Sequence, residues 1–310
     1  MGTKPTLLIA FGGNALIKKG QSGTAEEQLE NLKLPMRQVA LLSREYNLVL
    51  THGNGPQVGN LLLQQESCSR VPRMPLDIIG AMTQGQIGYM IESSLDTAFM
   101  EEGIEDKYFV TLITYIVVDE NDPELTNPSK PIGPTYTREE AGNLPYTLKE
   151  TDKGLRRVVP SPRPVTIVER REIKKLLHEG FIVICCGGGG IPVVRKGARF
   201  VGVEAVIDKD LASFVLAREI QADIFLIATD VPGAVIHRGT REEKVLGKIS
   251  TEEMRACVAA GHFPAGSMGP KVEALLRFAD ATGKRGIICD LADITRAVAS
   301  EAGTEVVAKS

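Results

Sequence analysis

The sequence lacks an uninterrupted apolar run long enough to span a bilayer, so no membrane-spanning helix is expected. The short apolar run from Thr6 to Phe11 leads straight into a glycine turn, so no secretory signal is expected either. A net charge of −3 offers no general attraction to nucleic acid, and any basic side chain that matters must act locally at a site. The five cysteines (Cys68, Cys185, Cys186, Cys257, Cys289) are odd in number and show no paired-motif spacing. They read as thiols in a reduced, cytoplasmic setting, with Cys185 and Cys186 buried in an apolar strand. The four histidines (His52, His178, His237, His262) lie far apart and form no ligand pattern, and no Ser-His-Asp or Cys-His arrangement stands out. Neither G-x-G-x-x-G nor the Walker pattern is present, which argues against a dinucleotide dehydrogenase or a P-loop enzyme.

What is present is an α/β alternation across 310 residues, with 43% hydrophobic and 24% charged residues. Residues 6–11 form a continuous apolar run ended by Gly12-Gly13-Asn14, the pattern of a strand buried on both faces. A helical pattern covers 24–44, where Pro35 is expected to kink or interrupt it. The strand Leu48-Val49-Leu50-Thr51 ends in His52-Gly53-Asn54-Gly55, and Pro56 starts a helix. Residues 77–102 read as a long helix whose Gly80, Gly85 and Gly88 each suggest close packing, and 108–118 as a β-rich run. Pro123, Pro128, Pro131 and Pro134 crowd together early in 119–164, and Pro160, Pro162 and Pro164 end it, so this stretch is expected to stand outside the main sheet as an insertion or flap. From Thr166 the alternation resumes, with helices at 169–179, 250–260 and 270–281 and strands at 181–186, 223–228, 286–289 and 304–307. Such alternation implies a mostly parallel sheet covered by helices on both faces.

Three glycine turns therefore follow three buried strands: Gly12-Gly13-Asn14, Gly53-Asn54-Gly55 and Gly187 to Gly190. They should share the rim at the carboxyl ends of the strands, where glycine lets backbone N–H groups approach an anion. Asp208-Lys209-Asp210 stands before an amphipathic helix. An Asp there reads as a cap, but a lysine is unfavourable at the positive end of a helix unless an anion accompanies it. Gly266-Ser267-Met268-Gly269-Pro270-Lys271 places a second lysine in the same situation. Lys130, in the proline-rich stretch, reads from spacing alone as a loop charge. Glycine cradles with isolated lysines and few titrating groups fit phosphoryl transfer better than acyl or hydride transfer.

The segments Phe11 to Leu16, Thr51 to Gly59, Asn127 to Gly133, Val158 to Pro162, Gly187 to Val193, Ala205 to Asp210 and Gly266 to Lys271 together resemble carbamate kinase, within the amino-acid kinase superfamily. The resemblance covers essentially the whole chain. It implies a three-layer αβα sandwich with a protruding flap, a homodimer, and phosphoryl transfer between ATP and carbamate, giving ADP and carbamoyl phosphate, with Mg²⁺. It further implies a single domain over 1–310, with an acceptor-binding half at about 1–190, a flap at about 119–164 and a nucleotide-binding half at about 191–310. Carried over by position, Lys209 and Lys271 would neutralise the transferring group, Asp210 would orient them, and Lys130 would close over the substrate. Gly12, Gly13, Asn14, Gly53, Asn54 and Gly55 would hold carbamate and the phosphoryl group, while Asp230 and Met268 would lie on the nucleotide side. No protein metal ligand is assigned. Sister kinases of other acceptors usually carry a lysine where this chain has Phe11. Two departures, Asp152-Lys153-Gly154-Leu155 before Arg156-Arg157 and Tyr115 in place of Gln, fall at or near the flap and bear on acceptor preference. The alternatives are a kinase of another small carboxylate or carbamoyl-like acceptor, or a silent metabolite sensor on the same fold.

Overall fold

In β1 (Thr6–Phe11) successive side chains point to opposite faces of a sheet, and both faces are covered. Leu8 and Ala10 enter one apolar cluster, while Leu7, Ile9 and Phe11 enter another. This double burial is why the strand reads as a continuous apolar run rather than an alternating one. The structure is a computed structural model that describes residues 4–142, 144, 146–151, 154–264 and 268–308, without the Asn14 side chain.

After β1 come α1 (Ala25–Leu42), β2 (Asn47–His52), α2 (Gly55–Ser67), α3 (Leu76–Glu101), β3 (Tyr108–Thr111) and β4 (Tyr115–Val118). β5 (Lys130–Tyr136), α4 (Arg138–Ala141), β6 (Leu148–Thr151) and β7 (Gly154–Val159) follow, then β8 (Pro164–Ile167), α5 (Arg170–His178) and β9 (Phe181–Ile184). Next are β10 (Ile191–Lys196), β11 (Arg199–Gly202), α6 (Lys209–Glu219), β12 (Ile224–Thr229), β13 (Val235–Ile236) and β14 (Lys244–Val245). The chain continues with β15 (Lys248–Ser250), α7 (Thr251–Ala259), α8 (Met268–Thr282), β16 (Arg285–Asp290), α9 (Ile294–Val298) and β17 (Thr304–Val307).

The main sheet has eight strands in the order β15-β17-β16-β12-β1-β2-β9-β3. Its pairings are parallel except that between β16 and β17. Residues of α1, α3 and α9, among them Met36, Ile91 and Ile294, cover one face. Residues of α5, α6, α7 and α8, among them Ile173, Leu216, Met254 and Phe278, cover the other. The expected three-layer αβα sandwich is therefore observed. β1 lies between β2 and β12, so the sheet is built outward from it first on one side and later on the other, and a crevice opens at the carboxyl ends of these strands.

The structure corrects the expectations for Pro35 and for Gly80 and Gly85, and sharpens two others. Pro35 sits inside an unbroken α1. Proline removes one intrahelical bond, but both it and Met36 beside it are buried, so tertiary packing holds the helix across it. The β-rich run 108–118 divides into β3, in the main sheet, and β4, in a separate sheet ordered β11-β10-β4-β8. The break falls where buried Thr114 accepts a hydrogen bond from the Cys186 N–H at 2.7 Å and leaves the ladder. Of the three α3 glycines, only Gly88 meets a close neighbour, since a Cβ there would lie 2.3 Å from Thr111 Cγ2. Finally, β5, β7 and β6 form a three-stranded antiparallel sheet of their own, with proline-containing β5 at its edge.

Candidate active site

The carboxyl ends of β12, β1, β2 and β9 bring the glycine turns to one rim, around a cavity of about 760 Å³. Gly12 donates its N–H to the Ala228 carbonyl at 2.9 Å, and Gly53 to the Phe11 carbonyl at 3.0 Å. The first two turns touch, since a Cβ on Gly53 would lie 3.1 Å from the Gly13 nitrogen. Gly12, Gly13, Gly53, Asn54 and Gly55 line the cavity, as expected. Asn14 follows in the short 3₁₀ turn Gly13–Ala15.

The third run, Gly187 to Gly190, reaches the same cavity at Gly188 and also packs against the second turn. A Cβ on Gly187 would lie 2.4 Å from the His52 ring, and one on Gly188 would lie 2.0 Å from Asn54 Nδ2. These glycines make room for the side chains of the second turn. Asn54 then donates from Nδ2 to Thr83 Oγ1 at 2.9 Å, which ties the turn to α3. His52 is buried, and its Nδ1 donates to the Gly53 carbonyl at 3.1 Å. Burial above all, with the nearby Lys209 charge adding to it and the Gly53 contact opposing it, lowers the imidazole pKa to about 4. His52 is thus a neutral brace behind the turn.

α6 begins at the opposite wall. Asp208 caps it as expected, and its Oδ1 accepts the N–H groups of Asp210 at 3.0 Å and Leu211 at 3.3 Å. Its other oxygen accepts Lys130 Nζ at 3.0 Å, so one carboxylate both caps the helix and holds the β5 lysine. Farther in, Asp210 separates two ammonium groups, with Lys209 Nζ 2.6 Å from Oδ1 and Lys271 Nζ 2.9 Å from Oδ2. Lys209 and Lys271 are 11% and 15% exposed against 39% for Lys130, which places the strongest fields at the first two. Lys209 Nζ and Asp210 Oδ1 are buried without a well-aligned hydrogen bond, so charge alone holds that pair. Burial pulls the Lys209 pKa below the ordinary lysine value, and Asp210 opposes the shift. Burial would raise the Asp210 pKa, but the two ammonium groups prevail and hold it at about 2. Ser213 donates to the Lys209 carbonyl at 2.7 Å and lies 2.7 Å from Thr51 Oγ1, which locks the start of α6 onto β2.

Asp230 and Met268 also line the cavity, so it gathers sites from both ends of the chain. Lys130, read as a loop charge from spacing, belongs to this wall because β5 folds back over α2. The sequence reading missed Asp208 as a partner of Lys130, and it missed Arg156 and Arg238 on the lining. Arg156 donates to the Gly133 carbonyl at 2.7 Å. No local pattern reports these contacts, because they join residues tens of positions apart. Tyr115, one of the two departures, stands half-exposed on β4 away from the lining, and its N–H donates to Glu169 at 2.9 Å. Asp152 and Lys153 of the other departure, and Gly266 and Ser267, lie outside the described residues.

Buried ammonium groups beside backbone cradles at the switch point of a three-layer sheet define an ATP-dependent small-molecule kinase. The chain belongs to the Amino acid kinase family, whose model matches residues 5–290. A carbamate kinase of Thermococcus kodakarensis is 48% identical over 97% of this chain and 98% of its own length. One of Haemophilus influenzae is 45% identical over 98% of this chain and 97% of its own. Among solved structures, carbamate kinase from Giardia lamblia bound to AMP-PNP superposes with a TM-score of 0.93 at 41% identity, covering 100% of both chains.

The depressed Asp210 pKa has a consequence for acid stability. In the folded state it lies near 2, below the unfolded value of 3.8, so its contribution is complete above about pH 4 and is lost as pH falls toward 2. Urea unfolding between pH 5 and 2.5 should show a steeper loss of stability in the wild type than in Asp210→Asn, with a difference on the order of 2 kcal/mol. Parallel pH slopes would contradict the charge arrangement described.

Proposed function

We propose that this chain is a carbamate kinase that reversibly transfers a phosphoryl group between ATP and carbamate, giving ADP and carbamoyl phosphate. The observation that carries the reading is the pair of buried ammonium groups of Lys209 and Lys271 on either side of Asp210, facing two glycine turns. Phosphoryl transfer asks little covalent chemistry of a protein and much positioning and charge neutralisation. Lys209 and Lys271 stabilise the equatorial oxygens of the transferring group from two sides. Asp210 keeps both side chains aimed. The N–H groups of Gly13, Asn14, Asn54 and Gly55 hold carbamate and the phosphoryl group between them, while Gly12 and Gly53, whose N–H groups go to Ala228 and Phe11, shape the turns against them. The lysines, Asp210 and backbone N–H groups suit a direct, in-line transfer. Lys130 covers the acceptor end, where Phe11 leaves β1 without the lysine expected of sister kinases. Asp230 and Met268 serve the nucleotide end. The near full-length likeness to carbamate kinases supports carbamate as the acceptor.

Mg²⁺ fits the same cavity. It keeps much of its water and binds through substrate phosphates with one or two carboxylates rather than in a protein cage. Among the described residues no three His, Cys, Asp or Glu side chains gather as a metal cage, and Asp230 on the lining is suited to approach phosphate-bound Mg²⁺. When bound, the ion would neutralise nucleotide phosphate charge.

A homodimer is supported by α3, where Ile78, Met82 and Tyr89 are exposed along one stripe with Gly85. A Cβ on Gly85 would meet nothing within 4 Å in this chain, which leaves room for a second backbone to approach. The free cysteines accord with a reducing cytoplasm.

Purified protein with ADP, Mg²⁺ and carbamoyl phosphate should form ATP, and a folded protein that forms none would refute the assignment. Lys209→Ala and Lys271→Ala should each lower kcat by about 10²–10³-fold. Near-normal turnover in either would remove that lysine from the clamp. Sedimentation velocity should report a dimer that Tyr89→Glu dissociates, and a wild-type monomer would contradict the α3 interface.

A further inference from the structure

A second cluster of charge lies outside the cavity, on the side of β5 and β7 that meets the body. β5 and β7 pair antiparallel, with Lys130 opposite Val159 and Ile132 opposite Arg157. Directly opposed residues share a face of a sheet, as do residues two apart along a strand. Lys130, Ile132, Arg157 and Val159 are therefore on one face, and all four engage the body of the protein. Ile132 and Val159 enter an apolar cluster with Val58 and Leu62 of α2 and Leu76 and Ile79 of α3. Lys130 reaches Asp208 at the start of α6. Arg157 reaches back between two carboxylates of the body, with Nη2 3.6 Å from Glu204 Oε2 and Nη1 4.0 Å from Glu66 Oε1.

The surroundings of Arg157 are more elaborate than a surface ion pair. Its side chain is 13% exposed. The guanidinium lies over the Tyr146 ring at 4.1 Å, and the Tyr146 hydroxyl donates to Glu66 Oε1 at 2.5 Å. Glu204 is itself held, because it accepts the Leu76 N–H at the start of α3 at 3.0 Å. Glu66 stands near the end of α2 and Glu204 precedes α6, so one guanidinium bridges the ribbon to two separate parts of the body. A planar, five-donor group that also stacks on an aromatic ring suits such a bridge, whereas lysine lacks the fork.

We propose that Arg157 is a positioning residue for phosphoryl transfer: by pinning the β5–β7 ribbon to Glu66 and Glu204, it sets the place of Lys130 at the cavity. The inference rests on the kinase reading above. Arg157 does not line the cavity and touches no reacting atom. It acts through the ribbon, which is anchored at Arg157 and presents Lys130 two residues away from the opposed Ile132. A small misplacement of a charged group at a phosphoryl site costs rate more than ground-state nucleotide binding.

The test is a double-mutant cycle on ATP formation from ADP and carbamoyl phosphate, using wild type, Arg157→Met, Lys130→Met and the double variant, with folding checked by circular dichroism. Arg157→Met should lower kcat by about tenfold or more with little change in KM for ADP. Arg157→Lys should recover part of the loss. In the Lys130→Met background the same change should cost almost nothing further, because its effect is already spent. Losses that multiply independently, or an unchanged kcat in Arg157→Met, would overturn the inference. If Arg157→Met does not fold, Tyr146→Phe replaces it in the cycle and should give a smaller kcat loss that also vanishes with Lys130→Met; a loss that persists there would count against the proposal. Wild-type protein that makes no ATP would refute the kinase reading itself, whereas an active wild type with an additive cycle would refute only the role of Arg157.

Discussion

The Asp210 carboxylate holds two ammonium groups side by side at the wall of the cavity. Burying a lysine disfavours its charged form, and bringing a second lysine near disfavours it further. Asp210 offsets both effects, with an oxygen 2.6 Å from Lys209 and the other 2.9 Å from Lys271. Its own burial is offset in turn by those cations. The triad depends on Asp210, because removing that carboxylate leaves two cations together with no anion between them. It also carries excess positive charge toward the cavity, which suits a phosphoryl group better than a neutral ligand.

The rest of the fold serves to deliver that triad to the glycine turns. Asp208 fixes the first turn of α6, while Ser213 and Thr51 fix α6 to β2. His52 and Asn54 brace the second turn against Gly187, Gly188 and α3. The β5–β7 ribbon brings Lys130 to Asp208 at the cavity, and Arg157 ties that ribbon to Glu66 and Glu204 some distance away. Cations arriving from α6, α8 and β5 therefore line one cavity, although their residues are spread over much of the sequence.

Much of this was legible in the residues. Doubly buried strands announced a parallel sheet, glycines marked their ends, and a lysine beside a cap at a helix start asked for an anion. The order of motifs from Phe11 to Lys271 carried the family resemblance. What was not legible depended on contacts across the fold. Lys130 looks like a loop charge until β5 folds over α2 and sets it against Asp208. That Gly187 and Gly188 must be glycine to make room for the His52 and Asn54 side chains shows only once the turns are packed together. The run 108–118 has strand composition throughout, and only the tertiary position of Thr114 splits it between two sheets. Gly80, Gly85 and Gly88 share a pattern in sequence but not an environment.

The central claim is that a phosphoryl group passes directly between acceptor and nucleotide while Lys209 and Lys271 hold it. The stereochemistry at phosphorus tests this most directly. With a phosphoryl group made chiral by oxygen isotopes, one passage through an in-line transition state inverts configuration, whereas a covalent enzyme intermediate would invert it twice. The arrangement described predicts inversion in the ATP formed. Net retention would contradict it.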